Sequence, residues 1–454
     1  MTKGRALKMS AGAKVPAARF LRVWLVVAVW CLAWPAFCGG ERAYIDITRP
    51  NFEKLPIAIP DFKWQNRREK DLGREMVGTL RKDIEISGFF RQVDPALFPG
   101  DAETIGVTEK EVRFDRWKKI DVEFLIRALY EVKGGSLRLE ARLFDVVNGK
   151  RILGKVFEGR AGDGRAMIHR FVDEVLLTLT GKRGIFETKI AFVQVEGNVK
   201  EIHVVDFDGE NPVPITRDGS ISLSPAWSPD GARMAYVSYL EGSPKIFVLD
   251  LLKGSRRLLS GYKGLNIAPA WRPGASELAA TLSRKGNPDI YLLTDSGSVR
   301  RRLAGSWAIE VSPSWSPDGR RLAYVSGESG SPQIYVLEVE GGEERRITFE
   351  GEYNTSPAWS PGGDWIAYSG LTGGSHEIFL IRPDGTDKRR VTRGGGSNES
   401  PTWSPDGRML AFSSTRGGRS AVWITNLDGT ESRRLTKMAG SQRLPDWSPY
   451  FTDR

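Results

Sequence analysis

The chain has 454 residues, 40% hydrophobic and 27% charged, with a formal net charge of +10 and two cysteines, a length beyond one ordinary domain. Six of the positive charges (Lys3, Arg5, Lys8, Lys14, Arg19, Arg22) and both cysteines (Cys31, Cys38) fall in the first 38 residues. The remaining 416 residues carry about +4 and no thiol, which removes disulfides, cysteine metal sites and any charge-based case for nucleic-acid binding.

Residues 1–38 have the layout of a secretory signal peptide: an acid-free basic stretch, an almost wholly apolar run from Val23 to Cys38, and small residues near its end. The run is short for a membrane anchor. Cleavage is expected after Cys38. Lipidation of Cys38 is the rival, disfavoured because the bulky Phe37 stands where a small residue is wanted.

Residues 39–185 show no repeat and read as a small α/β domain. Leu55–Pro60 predicts a buried strand, and Asp71–Ser87 a helix from the spacing of Leu72, Met76, Leu80 and Ile84. Phe89–Val93 predicts a short strand. Val122–Val132, Ser136–Asp145 and Arg151–Phe157 predict a meander, turning at Lys133-Gly134-Gly135 and Asn148-Gly149. Met167–Leu179 predicts a second amphipathic helix, and 181–184 a hinge. Ahead of this domain, Arg42-Ala43-Tyr44-Ile45-Asp46-Ile47-Thr48 alternates well enough to be a strand, packed at home or lent to a partner.

From residue 186 a strict period takes over. Trp227, Trp271, Trp315, Trp359, Trp403 and Trp447 stand 44 residues apart, each in a Pro-x-Trp-x-Pro segment. Rows through Ala191, Ile202 and Ile215 repeat with the same spacing. Four short β-rich runs per repeat, parted by Gly and Asp-Gly turns, give a four-stranded antiparallel propeller blade. The prolines fit the ends of a short strand. The array is offset: the tryptophan strand missing at its start reappears around Trp447. The expected fold is therefore an α/β N-terminal domain followed by an all-β six-bladed β-propeller over 186–454. Pairing strand one (444–450) with strands two to four (188–216) closes it and removes open edges.

Chemistry-bearing residues are sparse. His169, His203 and His376 lie in different elements, and no Asp-x-Asp-x-Asp loop, His-x-x-x-His, Gly-x-Ser-x-Gly or phosphate loop occurs. No metal, cofactor or catalytic residue is expected. Asp230-Gly231, Asp318-Gly319 and Asp406-Gly407 read as tight turns. The pairs Arg256-Arg257, Arg301-Arg302, Arg345-Arg346, Arg389-Arg390 and Arg433-Arg434 read as solvated charges preceding the outer strand. Loops entering each tryptophan strand carry Asn266, Glu310, Asn354, Asn398 and Glu399 beside Leu265, Ile309 and Tyr353. These form either a recognition surface at the channel mouth or merely polar loops.

This order of parts, with motifs such as Pro225-Ala-Trp-Ser-Pro-Asp-Gly231 and an end at Trp447-Ser-Pro-Tyr450, resembles the TolB family of Gram-negative periplasmic proteins. The resemblance implies a non-enzymatic scaffold of the Tol–Pal envelope system, serving outer-membrane integrity and cell division. It implies a propeller face binding the peptidoglycan-associated lipoprotein Pal through Leu265, Asn266, Ile309, Glu310, Tyr353, Asn354, Asn398 and Glu399. A TolA-like inner-membrane protein would take Arg42–Thr48, and the protein would be a monomer. Where the family pattern has a histidine, this chain has Leu265. A propeller hydrolase or lyase acting on peptide or polysaccharide, and a sensor or small-ligand binder, are the competing classes.

Overall fold

The computed structural model describes residues 53–64, 70–102 and 106–451; the expected signal segment and the Arg42–Thr48 arm lie outside them. The α/β part holds β1 (Leu55–Ala58), β2 (Lys63–Trp64), α1 (Lys70–Ser87), β3 (Phe90–Gln92), α2 (Phe114–Lys118), β4 (Phe124–Lys133), β5 (Ser136–Asp145), β6 (Lys150–Arg160) and α3 (Gly164–Thr180). The sheet runs β3-β1-β4-β5-β6, with β2 also beside β4. β1 is parallel to β3 and β4, while β4, β5 and β6 form the antiparallel meander expected from their turns. The apolar stripe of α1 buries Met76, Val77, Leu80 and Ile84, the 3.6-residue pattern its sequence announces. The five residues of α2 are too few to show a period; Trp117 holds that turn, buried edge-on against Phe98 at 5.3 Å.

Six four-stranded sheets make the propeller. Blade 1 covers 222–260, blade 2 266–304, blade 3 310–346, blade 4 354–390 and blade 5 398–434. Blade 6 joins Ser441–Trp447 to Lys189–Glu196, Val199–Asp206 and Val213–Pro214, so the ring closes by pairing the two ends of the array. The tryptophans stitch blades together. The indole Nε1 of Trp271, Trp315 and Trp403 donates to the carbonyl of Ala226, Ala270 and Ala358 in the preceding inner strand, at 3.2, 3.1 and 2.9 Å. Trp359 departs from the pattern and donates to Gly363 in its own turn.

Two expectations are corrected. The first proline of each motif does not end its strand. It sits inside the strand at a bulge, after Ser224, Ala268, Ser312, Ser356, Ser400 or Leu444, all at φ between 50° and 55°. The ladder skips there, so a residue without an N–H loses nothing. The arginine pairs do not precede the outer strand; they are in it. Arg257 and Arg301 reach the turn of the next blade, meeting Asp295 at 2.8 Å and Glu340 at 3.1 Å. They link blades as well as charging an edge. The Asp-Gly turns are as expected: Asp318 accepts from Ser316 Oγ at 2.5 Å and from the Arg320 N–H, and Gly319 takes φ 65°.

The α/β part packs on the propeller face that carries these Asp-Gly turns. Arg408, next to one of them, donates to Ser87 O at 2.9 Å and lies 4.0 Å over the Phe89 ring. The fully buried carboxylate of Asp208, in a turn of blade 6, pairs with Arg165 of α3 and with Lys82 of α1 at 3.3 Å. Burial acts to raise the Asp208 pKa, but these two cations outweigh it and hold the carboxyl below its ordinary value.

Candidate protein-binding face

Strand direction alternates within a blade. The loops entering each first strand and the hairpins joining second to third strands therefore share the opposite face from the Asp-Gly turns. Hydrogen bonds across these loops agree: Thr415 N–H donates to Ser397 O at 3.0 Å and Gln442 N–H to Ser420 O at 2.9 Å. All eight positions expected at the channel mouth lie on this face, and their burial divides them into two groups.

Asn266, Glu310, Asn354 and Asn398 open the inner strands and are buried. They staple the loop that precedes them. Asn266 Oδ1 accepts from Tyr262 N–H at 3.0 Å and Ser260 Oγ at 2.7 Å, while its amide donates to Tyr262 O at 2.7 Å. Glu310 accepts from Ser306 Oγ at 2.6 Å, and burial raises its carboxyl pKa. Asn354 donates to Gln333 Oε1 at 2.8 Å and Asn398 to Glu377 Oε2 at 2.9 Å. These four side chains are internal, because a buried amide or carboxyl needs every partner the loop backbone offers. Their own contribution to any contact is to fix loop shape.

The other four reach solvent. Ile309 is 55% and Tyr353 45% exposed; Glu399 is exposed and Leu265 half-buried. Tyr353 packs edge-on against His376 at 5.9 Å, and His376 Nδ1 lies 3.7 Å from Glu399. Ser397 joins this group, donating to Glu399 at 2.7 Å and approaching His376 Nδ1 at 3.4 Å. Serine and carboxylate thus address the same ring nitrogen, so no relay from nucleophile to base to acid is formed. The other histidines are structural. His169 bonds buried Asp83 at 2.7 Å and packs on Phe207, and His203 stacks on Phe192. Among the described residues no three His, Cys, Asp or Glu side chains gather as metal ligands.

Sequence reading passed over the two most exposed aromatics of this face, Trp307 at 72% and Phe349 at 71%. The signal for them lies in the repeat itself. The column 219, 263, 307, 351, 395, 439 reads Gly, Lys, Trp, Gly, Gly, Ala, and a lone tryptophan in a loop column has no packing role to explain it.

Comparison with known proteins adds the lineage. The family model for the TolB beta propeller domain matches residues 177–451, more than half of the chain, and that for the TolB amino-terminal domain matches residues 43–152. A relative from Desulfosudis oleivorans, "Tol-Pal system protein TolB", is 44% identical over 244 residues, 53% of this chain and 56% of the relative. Another of that name from Syntrophus aciditrophicus is 42% identical over 235 residues, 50% of this chain and 52% of the relative. The chain thus spans about half the length of the curated relatives it matches. The crystal structure of TolB from Acinetobacter baumannii superposes with a TM-score of 0.75 at 25% identity, covering 88% of this chain and 97% of that one. With the propeller model matching more than half of the chain and the amino-terminal model matching the part before it, the chain belongs to the TolB family.

Proposed function

We propose that this chain is a non-enzymatic, periplasmic protein-binding scaffold of the Tol–Pal envelope system. It links a Pal-like peptidoglycan-associated lipoprotein to a TolA-like inner-membrane protein, and so serves outer-membrane integrity and cell division. It reaches the periplasm by its cleaved N-terminal signal and acts as a monomer. The observation that carries this reading is the open propeller face. The α/β part packs on the opposite side through Arg408 and Asp208, and the open side presents Ile309, Tyr353, Trp307 and Phe349 to solvent. Rigid loops bearing exposed aromatics suit protein recognition, where such side chains supply most of the binding energy. The relatives' shared name, "Tol-Pal system protein TolB", supplies the system.

Titration calorimetry of residues 39–454 against the soluble domain of the organism's Pal-like lipoprotein tests the first partner. Saturable binding, weakened roughly tenfold or more by Tyr353→Ala, is expected; no binding by the folded protein sinks the proposal. The second partner is tested by deleting residues 42–48. Loss of TolA-like binding with an unchanged melting curve is expected, and unaltered binding contradicts the assignment of that arm.

A further inference from the structure

The open face is not uniform around its ring. Three successive loops about blade 3, residues 305–309, 327–332 and 347–353, contain no lysine or arginine. They expose Trp307, Ile309, Phe349 and Tyr353, framed by the exposed acids Glu328 and Glu352 and by Glu350, which pairs with Lys388 at 3.0 Å. Four loops about blades 5 and 6, residues 391–397, 415–420, 435–443 and 215–221, carry the opposite content. Arg217, Arg393, Arg419, Lys437 and Arg443 are exposed there, and none has an ion-pair partner among the described residues. The one acid in those loops, Asp218, is held by Arg256 at 2.6 Å. Of the nearby acids, Glu377 bonds Arg390 and Asn398 and Glu201 bonds Thr216 and Gly219, while Glu196 and Glu399 remain exposed and are outnumbered by the five cations. A single repeat column carries the split, reading Arg217, Gly261, Gly305, Phe349, Arg393 and Lys437. In a ring of six, blade 3 stands across the channel mouth from blade 6.

We infer that this face is a two-part docking site, with an aromatic sector at blade 3 and a cationic sector at blades 5 and 6, that takes one folded protein domain bearing an apolar knob and an acidic patch on either side of the channel axis. The inference rests on the reading of this face as partner-binding and adds the partner's chemistry and its orientation. Two dissimilar sectors on opposite rims oppose the half-turned setting, which would set the partner's acidic patch against Glu328 and Glu352, although exposed Lys263, Arg284 and Lys285 add cations at blade 2. Those same acids argue for a protein and against an anionic membrane, which would meet the whole face at once and be repelled on one side. The sectors divide the kinetics: exposed cations steer approach of an acidic surface and govern the association rate, while desolvated aromatics govern residence time.

Stopped-flow binding of the same lipoprotein domain to the full mature chain reads both terms. With wild type, raising salt from about 0.02 to about 0.5 M should slow association on the order of tenfold. The triple reversal Arg419→Glu/Lys437→Glu/Arg443→Glu should slow association by a similar factor and erase its salt dependence, with dissociation little changed. Trp307→Ala/Phe349→Ala should speed dissociation about tenfold or more at unchanged association rate. All five side chains are exposed, and circular dichroism of each variant checks folding. Wild-type binding that is indifferent to salt and to both variants overturns the two-part site while leaving the partner reading intact. Absence of wild-type binding overturns both. Co-sedimentation with phosphatidylglycerol vesicles that is lost in the triple reversal assigns the cations to lipid and overturns the inference.

Discussion

Asp446 accepts the backbone N–H of Trp227 at 2.8 Å, joining residues 219 positions apart in the chain. The bond ties the last inner strand to the first and completes the circle of blades. It also places a carboxyl where ionisation is penalised: burial pushes the Asp446 pKa up to about 7, against the lowering effect of the Trp227 N–H and the Thr402 hydroxyl. A carboxyl whose folded pKa exceeds its unfolded value stabilises the fold fully below the unfolded value near 3.8, and that stability is lost as pH rises through about 7. Asp173, which accepts the Phe186 N–H at 3.2 Å, is likewise raised to about 7 by burial and acts in the same direction.

Raising pH from about 5 to about 8 should therefore cost the protein about 2 kcal/mol through Asp446. Asp446→Asn should flatten that part of the profile. Urea titrations across the pH range measure it, and an identical slope in wild type and variant would remove Asp446 as the cause.

The amides of Gln442 and Gln194 carry the closure further. Gln442 Nε2 donates to Gln194 Oε1 and to Ala439 O, both at 2.9 Å, with Gln442 wholly buried. Gln442→Ala should cost about 2–3 kcal/mol, because it strands the buried Gln194 carbonyl and takes the acceptor from the Thr436 hydroxyl, while Ala439 O keeps the Gln194 amide as donor. Its melting temperature, compared with that of the exposed neighbour variant Arg443→Ala, isolates the effect.

Asp208 joins the two parts of the molecule. Asp208→Ala removes the anion shared by Arg165 and Lys82 and leaves Arg165 only Asp206, at 4.0 Å, a change expected to cost about 2–3 kcal/mol, less than a fully buried pair because Lys82 reaches solvent. Calorimetry should show the single transition broaden or split, with faster proteolysis in the 181–184 segment between the two parts. A sharp, unshifted transition would mean the parts are held together elsewhere.

Gly297 lies in an outer turn of blade 2 at φ 87°, and a Cβ there would land on the Leu259 carbonyl oxygen of blade 1. Gly297→Ala should destabilise by about 3 kcal/mol or more, combining left-handed strain with displacement of the neighbouring strand. Gly286→Ala, also at positive φ but with open space around it, serves as the control and should cost less.

The architecture was legible in the sequence because a propeller writes its packing into a period. Each blade must bury the same faces, so Trp227 to Trp447 and the rows through Ala191 and Ile202 recur at 44 residues, and the offset of Trp447 announces the shared sixth blade. The helix at 70–87 and the meander at 124–160 followed from local periodicity and turn residues for the same reason. Side-chain direction was not written there. Asn266 and Leu265 are neighbours with equal claim to a loop surface, and only the folded loop turns one inward to saturate its hydrogen bonds and leaves the other half-buried. The bulge that moves Pro225 into its strand, and the inter-blade reach of Arg257 and Arg301, also depend on partners about 40 residues away or on the strand alongside. Sequence by itself determined the number of blades, their closure and the family, because these rest on repeated local patterns. Tertiary structure alone decided which face the α/β part covers and which side chains the open face presents, because both depend on contacts between segments distant along the chain.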